Sequence, residues 1–188
     1  MTLHKKILTF AAASLLAFTA SIPSFAAESA VDTLCAPSGI TSMPDGSFLV
    51  TDTYNKVVWR VEGRTSTVYG GVATVGDLYG QPIGGYNDSA LNDSYFKEPW
   101  AVAPFLDGYA VSDSANNVVR FIAHDRNKVQ TATGQRAKGS LNGYGIGATF
   151  DRPTGLATDE AGNLYIADTG NNRIRKLTNT GTDRKSVV

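Results

Sequence analysis

The sequence predicts an all-β protein assembled from repeated units of four antiparallel strands, and three observations lead to that reading. An apolar strand running into an Asp-centred turn occurs three times, ending at Asp52-Thr53-Tyr54-Asn55, Asp113-Ser114-Ala115-Asn116 and Asp168-Thr169-Gly170-Asn171. The aspartates lie 61 and 55 residues apart, and Pro37, Pro99 and Pro153 stand 15, 14 and 15 residues before them. Between each proline and its aspartate lies a glycine turn, at Asp45-Gly46, Asp107-Gly108 and Ala161-Gly162. Landmarks recurring in one order at near-constant offsets identify an internal repeat.

Each unit then reads in order. A short strand follows the proline: Gly39-Ile40-Thr41, Ala101-Val102-Ala103 and Gly155-Leu156-Ala157. The glycine supplies the positive φ that a tight hairpin needs. A second strand enters the Asp turn and a third leaves it. Thr65–Tyr69 and Lys128–Thr133 supply fourth strands that end at Gly70-Gly71 and Gly134. Four antiparallel strands with glycine-rich exits are the pattern of a β-propeller blade. The runs Phe48-Leu49-Val50 and Leu164-Tyr165-Ile166-Ala167 are almost continuously apolar, which suits a sheet covered on both faces. Gly and Asx residues every ten positions or so exclude long helices, and a β-sandwich would not predict the repetition.

Residues 1–26 read as a secretory leader, with Lys5 and Lys6, the apolar run Ile7–Ala20, and a cleavage site after Ala26. The run is shorter than the roughly 20 residues a membrane span needs, so the reading is export to the cell exterior, without a transmembrane segment in the mature chain. The whole chain has 17 basic and 17 acidic side chains; without the two leader lysines, 15 face 17, a net charge near −2. That excludes the basic footprint of a nucleic-acid or anionic-membrane partner. The single cysteine, Cys35, allows no internal disulfide and is expected as a small buried residue.

An aspartate that recurs in every unit is expected to do structural work. Asp52, Asp113 and Asp168 are read as acceptors for backbone N–H groups of their own turns, with Asn55, Asn116 and Asn171 completing them. Arg173 and Arg175 are expected on blade surfaces, with packed stems and solvated heads.

These residues resemble the NHL repeat family, whose pattern runs from Phe and Pro through a glycine turn into D-T-x-N-x-R-I. Phe150-Asp151-Arg152-Pro153 through Asp168-Thr169-Gly170-Asn171-Asn172-Arg173-Ile174 matches almost throughout. Unit one has Leu34 or Cys35 in place of the Phe, and Val57-Val58 in place of Arg-Ile. Unit two has Trp100-Ala101 after its proline and a hairpin one residue shorter. The resemblance spans about 32–178, with blades at about 32–71, 96–134 and 150–182 inside a propeller segment 27–182. It implies a propeller, usually of six blades, used mainly as a binding platform, and no activity by itself.

Three units make half of such a ring. Unit three is expected to lack a fourth strand, and 183–188 to be a non-native tail, since the six residues are what a common sequencing adapter encodes in this frame. The chain is therefore read as a truncated piece whose further blades are missing. A homodimer of half-rings is disfavoured by the missing strand.

Antiparallel alternation places the Asp turns and the two long connectors, Val72–Glu98 and Gln135–Arg152, at one end of the units. Long connectors are where recognition concentrates. Asp77, Tyr79, Tyr86, Asp88, Asp93 and Tyr95 in the first, and Arg136 and Tyr144 in the second, are the candidate ligand-binding residues for a protein, peptide or glycan. The alternative is a fragment of a lactonase-like or amidating-lyase-like propeller with a divalent metal in its channel. Against it, His124 is the single histidine outside the leader, Asp88 and Asp93 are a thin calcium set, and no catalytic motif or cofactor loop appears. No catalytic, cofactor or metal residue is assigned.

Overall fold

The computed structural model describes residues 34–73, 76–124, 127–180 and 183–187, so the leader lies outside the described residues. Three four-stranded antiparallel sheets follow one another along the chain. The first holds β1 (Pro37–Ser42), β2 (Phe48–Asp52), β3 (Val57–Glu62) and β4 (Thr65–Gly70). The second holds β5 (Pro99–Phe105), β6 (Gly108–Asp113), β7 (Val118–Ala123) and β8 (Lys128–Thr133). The third holds β9 (Pro153–Thr158), β10 (Leu164–Asp168), β11 (Arg173–Leu177) and β12 (Asp183–Val187). Each strand pairs with its sequence neighbour, the meander of a propeller blade. Among the described residues no helix is long and apolar enough to cross a membrane.

The sheets stack face to face, and the core lies in the two seams between them. Met43, Leu49 and Val58 of the first blade meet Val102, Tyr109, Val111, Ile122 and Val129 of the second. On the opposite face of the second, Ala103, Phe105, Ala110, Val119 and Phe121 meet Leu164, Ile166 and Leu177 of the third. This explains the continuous apolar runs. Every residue of β7 is buried because both its faces are covered, whereas β10 alternates because it has one covered face.

Near the axis the seams close on backbone. Thr51 Oγ1 donates to Trp100 O at 2.9 Å, and Ser38 Oγ donates to the same carbonyl at 2.7 Å. One blade further, Ser112 Oγ donates to Thr154 O at 2.5 Å. A Cβ on Gly39 would lie 2.8 Å from both Ala101 Cα and Trp100 O, so the first blade can approach the second only with glycine here.

Three expectations need correction. The third blade does have a fourth strand: β12 pairs with β11 in the register Ile174↔Val187, Lys176↔Arg184 and Leu177↔Asp183. An unpaired strand edge offers N–H and C=O groups that any extended segment can satisfy, whatever its side chains. The shortened hairpin of the second blade takes its positive φ at Leu106 (51°), while Gly46 (86°) and Gly162 (78°) behave as expected. Gly108 instead opens β6, where a Cβ would run into the carbonyl of Ile122. Finally, Cys35 is exposed. Its backbone N–H is bound to Asp52 Oδ2 at 2.9 Å, which fixes the main chain and leaves the thiol outside.

Candidate functional site

The Asp turns sit at the end of the second strand of each blade. In the second and third blades a single 3-10 turn, Ser114–Asn116 and Thr169–Asn171, follows the aspartate. The next residue is left-handed, Asn117 at φ 57° and Asn172 at φ 53°, a conformation that Asn tolerates. In the first blade Lys56 takes this position at φ 62°.

Each aspartate gathers donors from its own turn and from the segment entering its blade. Asp113 Oδ1 accepts the backbone N–H groups of Lys97 and Glu98, both at 2.9 Å, and Oδ2 accepts Asn116 Nδ2 at 2.7 Å. Asp52 accepts Cys35 N, Ala36 N and Asn55 N, and Asn55 Nδ2 at 2.7 Å. Asp168 accepts Asp151 N at 2.8 Å and Asn171 Nδ2 at 2.9 Å. All three aspartates are fully buried. Burial pushes the Asp113 carboxyl up, and the hydrogen bonds from Glu98, Asn116 and Arg120 pull against it without overcoming it. At Asp52 burial also pushes upward, but the N–H groups of Asn55, Cys35 and Ala36 together hold the carboxyl below its ordinary value.

The seventh residue beyond each aspartate was missed in the sequence. Arg120 lies seven after Asp113 and Arg175 seven after Asp168, and both are fully buried rather than solvated. Each donates to Oδ2 of its aspartate at 3.3 Å. A guanidinium has more donors than one carboxylate can use, and the rest reach the connector that precedes the blade. Arg120 binds Tyr95 O and Asn87 O, both at 2.9 Å, and Asp88 Oδ1 at 2.7 Å. Arg175 binds Thr149 O at 3.2 Å and Leu141 O at 3.0 Å. The guanidinium carbon of Arg120 lies 5.2 Å from the Phe96 ring centroid, and that of Arg175 4.8 Å from Phe150. The first blade carries Trp59 here, whose Nε1–H reaches Asp52 Oδ2 at 3.2 Å. The signal was the seven-residue spacing itself, hidden by the assumption that charge means solvent.

The asparagines of the turns add a second tie. Asn116 Nδ2 donates to Gly85 O at 2.8 Å and Asn171 Nδ2 to Gly139 O at 2.7 Å. Both connectors are thus held at the end of the blades where the Asp turns lie.

The candidate ligand residues divide accordingly. Tyr86, Asp88 and Arg136 come together: Tyr86 has Arg120 at 4.9 Å and Arg136 at 5.2 Å from its ring centroid. Its hydroxyl shares a 2.6 Å hydrogen bond with Thr131, whose N–H donates to Asp88. Tyr95 is half-buried, with its carbonyl held by Arg120. These groups organise the connector. Asp77 accepts the N–H groups of Tyr79 and Gln81 and shapes its own loop tip. Asp93 is exposed and supplies only a carbonyl, to Asn87 Nδ2. Tyr79 (86 % exposed) and Tyr144 (77 %) project outward, and so do Leu78, Leu141 and Ile146, which the sequence reading did not single out. Among the described residues no three His, Cys, Asp or Glu side chains cluster as metal ligands would.

Comparison with known proteins agrees with this geometry. Residues 150–177 match the NHL repeat. A curated relative, Protein SUPPRESSOR OF QUENCHING 1, chloroplastic, of Arabidopsis thaliana, is 33 % identical over 106 residues, 55 % of this chain and 10 % of its own length. Among solved structures, an auxiliary nutrient binding protein from Bacteroides ovatus superposes with a TM-score of 0.60 at 19 % identity, over 73 % of this chain and 36 % of its own. Virginiamycin B lyase from Staphylococcus aureus gives 0.51 at 16 % identity, over 79 % and 40 %. The chain thus spans about a tenth of the curated relative and about two fifths or less of these structures. It carries an NHL repeat and folds as propeller blades, an architecture shared here by a binding protein and an enzyme.

Proposed function

We propose that this protein is an exported propeller scaffold that recognises a protein, peptide or glycan through its two connectors. The observation behind this reading is the contrast within those connectors. Their backbones are held by buried arginines, while Leu78, Tyr79, Leu141, Tyr144 and Ile146 stand exposed at their tips. Apolar and aromatic side chains on a fixed backbone lose little entropy on binding, the arrangement that favours affinity. The tips are more apolar than a glycan groove requires, which favours a peptide or protein surface. The leader-like residues 1–26 support an extracellular site of action.

The reading is tested on a peptide array and a glycan array, each probed with the wild type and with a Tyr79→Ala/Tyr144→Ala double variant in EDTA. The expected result is hits that persist in EDTA and weaken at least about tenfold in the variant, with an unchanged unfolding midpoint. Absence of hits, hits indifferent to both tyrosines, or binding that needs a divalent metal would each overturn it.

A further inference from the structure

The first and third blades each leave one face without a neighbour. On the first, that face carries Ile40 (65 % exposed), Phe48 (43 %), Val50 and Val61, and an open groove of about 680 Å³ runs along it. These residues occupy the register positions that hold Val102, Tyr109, Val111 and Ile122 in the second blade, all buried against the first. The face is therefore built as one half of a seam.

The other half is on the third blade. Gly155, Tyr165, Ala167 and Ile174 stand at the positions of Gly39, Leu49, Thr51 and Val58, the residues with which the first blade meets the second. Gly155 is the informative one. Its φ is not in the left-handed region, and a Cβ there would meet only Ala167 Cβ at an ordinary 3.6 Å. Nothing within the chain requires glycine at that position. At Gly39 the same position is glycine because the backbone of the next blade comes within 2.8 Å of the missing Cβ. Gly155 thus leaves room for a blade backbone that this chain does not itself supply.

We propose that the two open faces are filled by a second copy of the chain, the third blade of each copy packing on the first blade of the other. Each copy holds one half of each seam, so a two-fold axis satisfies both seams at once and leaves no blade face open. Six blades lie within the four to eight over which propellers close. The objection raised by a missing fourth strand falls with the pairing of β12 on β11.

The test is sedimentation velocity of the full chain at 5–100 µM in reducing buffer, which removes any crosslink through the exposed Cys35. A single species of twice the chain mass is expected. Ile40→Lys and Gly155→Val, each at an exposed position with space for the new side chain, are each expected to weaken the dimer at least about thirtyfold, roughly 2 kcal/mol on the scale of RT ln K, with circular dichroism unchanged. A monomer throughout the range overturns the proposal, as does a ladder of higher oligomers, which would mean seams that do not close. A dimer lost with Ile40→Lys but indifferent to Gly155→Val overturns it too, since the first blade would then be pairing with its own counterpart.

Discussion

Replacing Arg120 by Met tests the central claim about the site, that a buried guanidinium ties the first connector to its blade. Met keeps most of the stem volume against Phe96 and Tyr86 and removes every donor. Four contacts go: Asp88 at 2.7 Å, Asn87 O and Tyr95 O at 2.9 Å, and Asp113 at 3.3 Å. Hydrogen bonds to a charged group contribute about 1.5–3 kcal/mol each, but they act as one unit and do not add. The two carbonyls and Asp88 can turn to water when the connector loosens. Asp113 cannot, because it is fully buried, so the cost approaches that of breaking a buried pair, about 3–5 kcal/mol.

Urea unfolding measures that loss, and hydrogen exchange shows where it falls. Amide exchange between Gly76 and Glu98 is expected to accelerate more than tenfold while β6 and β7 slow exchange as before. Trp59→Phe is the internal comparison. It removes one N–H donor at 3.2 Å and no charge, so its cost is about 1–2 kcal/mol. In the Asp113→Asn/Arg120→Met double variant the buried carboxylate is gone, and the combined loss should fall short of the sum by about 1–3 kcal/mol. An Arg120→Met loss below about 1 kcal/mol, or unchanged exchange in the connector, would refute the tie.

Two further predictions follow from the seams and the turns. Gly39→Ala forces a Cβ against Ala101 Cα and Trp100 O and should cost about 1–3 kcal/mol by overpacking, read as a lower midpoint in thermal unfolding; an unchanged midpoint would show that the first seam is loose. Asp52 is held below its ordinary value in the fold, so its ionised form stabilises the protein above about pH 4, and that contribution is lost as pH falls through the lowered value. Asp52→Asn should therefore be less stable than wild type at pH 6, with the gap narrowing toward pH 2.5 in urea titrations; a gap constant with pH would contradict the carboxylate's role.

The fold was legible because a repeat supplies its own controls. Pro37, Pro99 and Pro153 each open the innermost strand, and Lys128–Thr133 forms a strand with the bounds its sequence suggests. What escaped were contacts between units, since sequence pattern reports the period of one strand and not what covers it. Arg175 looks like any strand-end arginine until Leu141 and Thr149 arrive from the preceding connector. Cys35 looks buried by residue type, yet its position is fixed by a main-chain bond to Asp52 that leaves its side chain out. Leu78 and Ile146 escaped for the converse reason. Apolar residues are assigned to the core by default, and their exposure follows from where the ties lie.

Those ties fall at matching points in two connectors of different length and sequence. Tyr95 O and Thr149 O, each one residue before the buried Phe96 and Phe150, take an arginine; Gly85 O and Gly139 O take an asparagine. Every one of these acceptors is a backbone carbonyl, which any residue supplies. The connector's side chains are therefore not needed to hold it, and the segments between ties, 76–84 and 142–147, are free to change composition without weakening the blades. A frame that fixes loop backbones through carbonyls separates the requirements of folding from those of recognition. That separation accounts for large apolar groups standing in solvent on a blade end whose buried polar groups are so fully paired.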